Sequence, residues 1–178
     1  MDLITTHPLL DRLFEQGKEM LGNDYAAYRN HCYRVFNFAA LMSRADRVML
    51  DKLAIAIYFH DIGIWTDHTL DYLEPSAKRA RDYLSEEGLD EWADEISAMI
   101  VEHHKVSMTC GQGNLVESLR RADWIDVSLG LLRFGVPRDV LNQLREAFPN
   151  QGFHKRLVQL TMQRLTKHPL SPLPMFKW

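Results

Sequence analysis

The sequence predicts a single all-α domain, and three observations support that fold class. Apolar residues recur at spacings of three and four along most of the chain, which is the period of a helix. No segment keeps the alternation of apolar and polar residues that is typical of a strand for more than a few positions. The 178 residues suit one domain with a single core, and no repeat, low-complexity segment or linker divides residues 1–178.

The composition limits the classes of partner. Hydrophobic residues make up 46%, charged residues 25%, and the net charge is −3, as in ordinary soluble proteins. Without a broad basic field, we expect no nucleic-acid polymer as a partner, and we interpret the basic clusters at 78–81 and 120–121 as solvated helix faces. No apolar run approaches the roughly 20 residues of a membrane helix, and the N-terminus does not resemble a signal peptide. We therefore expect a cytoplasmic protein without a membrane partner, in which Cys32 and Cys110 are reduced thiols.

The apolar period predicts seven or eight helices. Pro8 suits a first turn and Gly22-Asn23 a stop, so the first helix is expected at residues 8–21. Residues 63–70 and 109–114 are predicted to be loops. The other predicted helices are at 25–45, 50–60, 75–84, 90–104, 115–129, 138–147 and 152–166.

The C-terminal tail is predicted to be extended. Three prolines fall within residues 168–174, so this segment cannot be helical throughout. The apolar residues 175–178 are expected to dock on the core or on a second subunit. A homodimer is therefore one of the expected assemblies.

An apolar run at residues 55–59 ends abruptly in the pair His60-Asp61, and Gly63 follows. The run predicts a buried helix with the pair at its C-terminal end. An imidazole nitrogen and a carboxylate oxygen are both metal-compatible, and both are costly to bury unpaired. The alternative is that His60 and Asp61 cap the helix and pair with each other.

Two further predicted helices place similar residues beside an apolar face, namely His31 and Asp123. Together with His60 and Asp61, they bring two imidazoles and two carboxylates from three helices toward the interior. A shared divalent metal ion would satisfy all four side chains. This donor set suits Mn, Fe, Co, Ni, Mg or Zn.

The order His … His-Asp … Asp resembles that of the HD-domain superfamily of metal-dependent phosphohydrolases. The resemblance covers roughly residues 25–130 and leaves the C-terminal helices and tail, 131–178, outside it. Four segments carry it: 30–35 with His followed three residues later by Arg-Val, 60–63 with His-Asp-Ile-Gly, 100–104 with the extra histidines of many members, and 121–126 with Ala-Asp-x-x-Asp.

The resemblance implies that His31, His60, Asp61 and Asp123 ligate one divalent metal ion. Asp61 would be the bridging or water-orienting carboxylate, and the metal would lower the pKa of a bound water and polarise a substrate oxygen. The implied activity is hydrolysis of a small anionic substrate, either a phosphomonoester or a nucleotide.

A second metal site is incomplete in the sequence. Many dinuclear members carry a further histidine after a glutamate, whereas here Glu74 is followed by Pro-Ser-Ala. His68, His103 and His104 are candidates to complete such a site, and His103 is favoured because it continues the apolar face of its helix. Alternatively, His103 and His104 interact with the dipole at a helix end.

Two other residues have open roles. Arg34 binds a substrate phosphate or forms an ion pair with an acidic neighbour such as Asp126. Glu102 is a general base or an exposed helix carboxylate. Ile64 stands where several family members have lysine, so one candidate phosphate ligand is missing.

Two rival functions remain. Residues 74–84 and the small size resemble the branch of the superfamily that includes cyanamide hydratase-like lyases and mixed-valent diiron oxygenases. The oxygenase would need two irons. The other rival is a non-catalytic regulatory module that keeps a metal for stability.

Overall fold

The structure, a computed structural model, describes residues 3–109, 111, 113–167 and 174–175. All regular structure in that part of the chain is helical, which confirms the predicted fold class. Eight of the nine α-helices have ten residues or more, in agreement with the predicted seven or eight. The helices are α1 (Pro8–Leu21), α2 (Tyr25–Ser43), α3 (Arg47–Phe59), α4 (Gly63–Thr66), α5 (Leu73–Glu86), α6 (Ala93–Glu102), α7 (Leu115–Val127), α8 (Arg138–Ala147) and α9 (Phe153–Lys167).

The central element is α2, which packs against α1, α3, α7, α8 and α9. A helix that is apolar around its whole circumference needs neighbours on every side. Accordingly, Tyr28, Val35 and Phe36 are all fully buried. The polar residues His31 and Arg34 share this buried helix, so they lie in the interior of the molecule.

The start and end of α3 determine where the His-Asp pair lies. The helix begins three residues before the predicted position, because the Asp46 side chain accepts a hydrogen bond from the Met49 backbone N–H at 2.9 Å. It ends at Phe59, so His60 and Asp61 follow it directly, as predicted. The pair therefore stands at the point where the chain leaves a buried helix.

The loop predicted at residues 63–70 is wrong at its start, where α4 forms one helical turn. Ile64 and Trp65 are buried there, and Trp65 Nε1 donates to Asp24 Oδ2 at 3.0 Å. Gly63 is required by close packing, since a Cβ atom at this position would lie 2.9 Å from the carbonyl oxygen of Tyr72. These contacts hold the segment after Asp61 against the start of α5.

The helix predicted at 90–104 is shorter in the structure, and this changes the positions of two candidate ligands. A 3-10 turn at 90–92 precedes α6, which ends at Glu102. His103 and His104 therefore follow the helix instead of lying inside it as predicted. Residues just beyond a helix end can turn both side chains toward one side, which two neighbours within a helix cannot do.

The tail meets the core at Met175, which is buried and lines a cavity beside Asp61. This contact is the first of the two expected alternatives, docking on the chain's own core. Residues 168–173 and 176–178, and with them the predicted extended strap, lie outside the described residues, as does Cys110. The homodimer stays a prediction.

One basic cluster differs from its prediction. Arg120 is buried, and its Nη2 donates to Glu117 Oε1 at 2.7 Å, while Arg121 Nε donates to the same oxygen at 2.6 Å. The interpretation of 120–121 as a solvated face is therefore wrong for Arg120. Burial raises the pKa of Glu117, but the hydrogen bonds from Arg120 and its neighbours outweigh burial and lower that pKa to about 2.

No helix in the described part of the chain combines the length and apolar character that crossing a bilayer requires.

We expect Glu117→Gln to lower the free energy of unfolding by about 3 kcal/mol near pH 6 and by roughly half as much near pH 3. The folded pKa of about 2 lies below the ordinary value of 4.5, so ionised Glu117 stabilises the fold above pH 4.5. This contribution is lost as the pH falls toward 2. Urea unfolding of both proteins at the two pH values measures it, and an equal difference at both would contradict the assignment.

Candidate metal centre

Four predicted site residues from three helices meet in one buried cluster. His31 comes from α2, Asp123 from α7, and His60 and Asp61 directly follow α3. Each of these residues is at most 3% exposed. The fold therefore places two imidazoles and two carboxylates in the interior, where each needs a partner.

The ligating atoms of these four residues lie close together. His31 Nε2 is 3.1 Å from His60 Nε2 and 3.5 Å from Asp123 Oδ1. His60 Nε2 is 3.3 Å from Asp61 Oδ2, and His31 Nε2 is 4.0 Å from the same oxygen. Atoms that share one ion about 2.1 Å away are about 3.0 to 4.2 Å apart. His31, His60 and Asp61 thus have the spacing of ligands to a common ion. Asp123 Oδ1 lies within 3.9 Å of both imidazole nitrogens, so it is placed beside the same space.

The outer nitrogen of each histidine determines which nitrogen faces the cluster. His60 Nδ1 is 2.6 Å from the carbonyl oxygen of Ile57, and His103 Nδ1 is 2.6 Å from that of Ile100. A carbonyl oxygen only accepts, so each Nδ1 carries a proton and the neutral ring presents the Nε2 lone pair inward. Ligating histidines are commonly oriented in this way.

Asp126 accepts a hydrogen bond from the outer nitrogen of His31 and also forms an ion pair with Arg34. His31 Nδ1 is 2.7 Å from Asp126 Oδ2, while Arg34 Nε and Nη2 donate to the two Asp126 oxygens at 2.6 and 2.8 Å. Burial raises the pKa of Asp126, but Arg34 and then His31 outweigh it and keep that pKa well below its usual range. Of the two roles considered for Arg34, the structure shows the ion pair.

A second group of donors adjoins the first and consists of Asp61, His103 and His104. Asp61 Oδ1 is 3.4 Å from His103 Nε2, and Asp123 Oδ2 is 3.5 Å from His104 Nδ1. The sequence favoured His103 over His104 as a candidate metal ligand, whereas in the structure both histidines face the cluster. The two groups share Asp61, whose oxygens point to different sides.

Several inward-facing atoms have unmet hydrogen-bonding capacity. Within the part of the chain that the structure describes, Asp61 Oδ1, Asp123 Oδ2 and His103 Nε2 make no hydrogen bond. Leaving such a buried atom unsatisfied costs about 1–3 kcal/mol. Imidazole nitrogens and carboxylate oxygens are the donors that borderline and hard divalent ions take. The residues of the cluster therefore fit a metal ion.

The pKa values of the cluster residues are shifted by burial and by their neighbours' charges. Burial lowers the pKa of His31 to about 4. Burial also lowers that of His60, but Asp61 and then Asp123 outweigh it and raise the pKa to about 9. Burial, aided by the charge of Asp61, raises the pKa of Asp123 well above its usual range. Metal ligands bind in their deprotonated forms, so binding of a divalent cation to these residues is expected to depend on pH.

Two predicted residues are not brought to the cluster. His68 is exposed, has a φ of 52°, and lines a separate surface cavity. Glu102 is partly exposed at the end of α6, and its Oε2 lies 3.9 Å from Lys105 Nζ. The structure therefore shows Glu102 as the surface carboxylate that was its alternative role.

Two residues that the sequence did not indicate complete the surroundings. Tyr72 Oη is 2.7 Å from His104 Nε2, so Tyr72 orients His104 as Asp126 orients His31. The ring of Phe153 stacks on that of His31 with centroids 4.0 Å apart. Tyr72 lies at the start of a helix reached through an irregular segment, and Phe153 lies far along the chain, so no residue spacing could reveal either.

The fold is all-helical, and its buried cluster of histidines and aspartates fits a metal ion. These two features are those of a metal-binding helical domain. The chain belongs to the HD domain family, since the sequence model of that family matches residues 28–128, which include every residue of the cluster. This superfamily consists largely of metal-dependent hydrolases. No curated protein and no solved structure matches the chain.

We expect Asp126→Asn to weaken metal binding about 10–100-fold, because the amide no longer fixes His31 with its Nε2 lone pair inward. Titration with Mn²⁺, followed by calorimetry, measures the change. Asp82→Asn is the matched control, because Asp82 is exposed and pairs with Lys78 on the surface. Circular dichroism verifies that both variants are folded. A folded Asp126→Asn protein with wild-type affinity would show that Asp126 does not support the metal site.

Proposed function

We propose that the protein is a metal-dependent hydrolase of a small phosphorylated compound. The observation that carries the proposal is the buried convergence of His31, His60 and Asp61, with Asp123 beside them and carboxylate oxygens left unsatisfied. Membership of the HD domain family supports the coarser class. The small net charge and the interior position of the cluster favour a small molecule over a polymer as substrate.

In this proposal the four residues hold one divalent ion, and Asp61, His103 and His104 hold a second. Asp61 belongs to both groups and would therefore help to hold both ions. The sequence predicted one ion with an incomplete second site. The orientation of His104 by Tyr72 supports extending the proposal to two.

The reaction would be hydrolysis of a phosphate ester. The oxygen of a water molecule bonds to phosphorus, the bond between phosphorus and the ester oxygen breaks, and the alcohol leaves with a proton. Inorganic phosphate is the other product. When bound, the metal would supply a lowered pKa of water and neutralise charge on the phosphoryl oxygens.

The chain's own residues would orient and protect this chemistry. Asp126 holds His31, and the carbonyl oxygen of Ile57 holds His60, so both ligands keep one tautomer. Phe153 covers the His31 ring and limits the access of bulk water to it. Arg34 acts by fixing Asp126, since its donors face Asp126 and the carbonyl oxygen of Phe148.

A second candidate is a diiron oxygenase, which two donor groups sharing Asp61 also favour. The hydrolase needs no oxidant, whereas the oxygenase consumes dioxygen and requires two irons per chain. Oxygen uptake by the iron-loaded protein separates them. A regulatory module without activity would bind metal and turn over neither kind of substrate.

We expect Asp61→Asn to lower kcat/KM for phosphate-ester hydrolysis by about 1,000-fold or more, because the amide loses the charge that holds the ions. Phosphate release from a panel of monoesters by the Mn²⁺-loaded protein provides the assay. Asp82→Asn should keep wild-type turnover. If Asp61→Asn kept more than about a tenth of the activity, Asp61 would not be a ligand at the reacting centre.

A further inference from the structure

A cavity of about 190 Å³ opens directly onto the cluster at Asp61 and His104. Its walls come from segments that are far apart in the sequence. Because the cavity adjoins the cluster, it is placed to hold the part of the substrate that is attached to the reacting group. What the walls can bind therefore determines the class of substrate.

Apolar side chains form most of these walls. Ile64, Leu70, Val127 and Leu157 line the cavity, and Met175 from the C-terminal tail closes it. Among the described residues that line it, none is a lysine or arginine. A single phosphoryl group bound at the metal centre needs no such partner, but additional phosphates in the cavity would.

Apart from Asp61 and His104, which belong to the cluster, the polar side chains of the walls already have hydrogen-bond partners. Tyr72 Oη is bonded to His104 Nε2, and Thr161 Oγ1 donates to the carbonyl oxygen of Leu157 at 2.9 Å. The hydroxyl groups of a sugar would lose their hydrogen bonds to water without gaining hydrogen-bond partners in the cavity. Transfer of a hydrocarbon group from water into the cavity is favourable. The cavity thus discriminates against polyhydroxylated groups.

The volume indicates the size of the group that the cavity itself accommodates. Drug-sized ligands occupy pockets of roughly 300–1,000 Å³, and an engineered apolar cavity of about 150 Å³ binds benzene. At about 190 Å³, the cavity takes a group near the size of one aromatic ring or a short alkyl chain. A nucleoside is larger and more polar than this space allows.

We infer that the substrate is a phosphomonoester of a compact apolar alcohol or phenol, and that Leu157 is a specificity-determining residue. This inference rests on the proposed hydrolase function and narrows it, since nucleotides were among the substrates considered. A larger surface cavity of about 390 Å³ shares Ile64 and Leu70 and includes Arg156 and Arg164. A long anionic substrate would need that second space.

Propyl phosphate and glycerol 1-phosphate form a matched pair of substrates, because they differ only in two hydroxyl groups. With the Mn²⁺-loaded protein, kcat/KM should be at least about 10-fold higher for propyl phosphate. Leu157→Asn, which keeps the number and branching of the side-chain heavy atoms, should reduce this preference to about 3-fold or less. Val158→Asn is the control, because Val158 is the next residue of α9 and is exposed. It should leave the preference unchanged.

Binding of phenol to the metal-loaded protein, followed by NMR, provides a readout independent of turnover. Leu157→Asn should weaken phenol binding at least about 5-fold, and Val158→Asn should not. Leu157-dependent phenol binding without hydrolysis of any monoester would support the apolar cavity and overturn the hydrolase. Equal turnover of glycerol 1-phosphate, or preferred turnover of adenosine monophosphate, would keep the hydrolase and overturn the cavity assignment. Failure of phenol to bind the wild-type protein would also overturn it.

Discussion

The structure depends on the convergence of electron pairs in one buried space. Three imidazole Nε2 atoms and two carboxylates face each other there, and the outer nitrogens of His31, His60 and His103 are already committed to acceptors. His31 Nε2 and His60 Nε2 are 3.1 Å apart, a distance at which two neutral lone pairs repel. Positive charge must therefore enter the space, as protons or as metal ions. The arrangement of α2, α3, α6 and α7 supplies the acceptors but not the charge.

The C-terminal part of the chain supports this space, although the family match ends at residue 128. Arg34 Nη1 donates to the carbonyl oxygen of Phe148 at 2.8 Å, so the residue after α8 helps to hold the Arg34–Asp126 pair. At the start of α9, Phe153 covers His31, and His154 Nε2 lies 3.0 Å from the carbonyl oxygen of Asp126. Residues beyond the family match therefore determine how open the centre is and what can enter.

The sequence predicted the elements whose physical cause is local. The apolar period located the eight long helices, and His31, His60, Asp61 and Asp123 stood out because polar side chains beside apolar faces need a partner. Helix ends were less accurate where a cap decided them, as at Asp46. The loop at 63–70 contained a helical turn because Ile64 and Trp65 find partners only in the folded molecule.

The points that the sequence left open concern contacts between distant segments. The inward turn of His104 depends on Tyr72, and the choice between the two roles of Arg34 depends on Asp126 and a backbone carbonyl of another helix end. The sequence named Asp126 as a partner of Arg34 but could not choose between the two roles, and it gave no sign of Tyr72. His68 was plausible by residue type alone, but its loop leads the side chain to the surface. Side-chain type therefore identified candidates, and the packing of helix ends selected among them.

The central claim, that the buried cluster is a metal centre, is tested most directly by metal content. Protein purified without a metal-affinity step is analysed by elemental mass spectrometry before and after reconstitution with metal. A double variant, His31→Ala with His60→Ala, is analysed in the same way after circular dichroism has verified that it is folded. The account predicts one to two divalent ions per wild-type chain and a loss of at least one in the variant. A wild-type chain that takes up no metal after reconstitution, or a variant that binds as much, would contradict it.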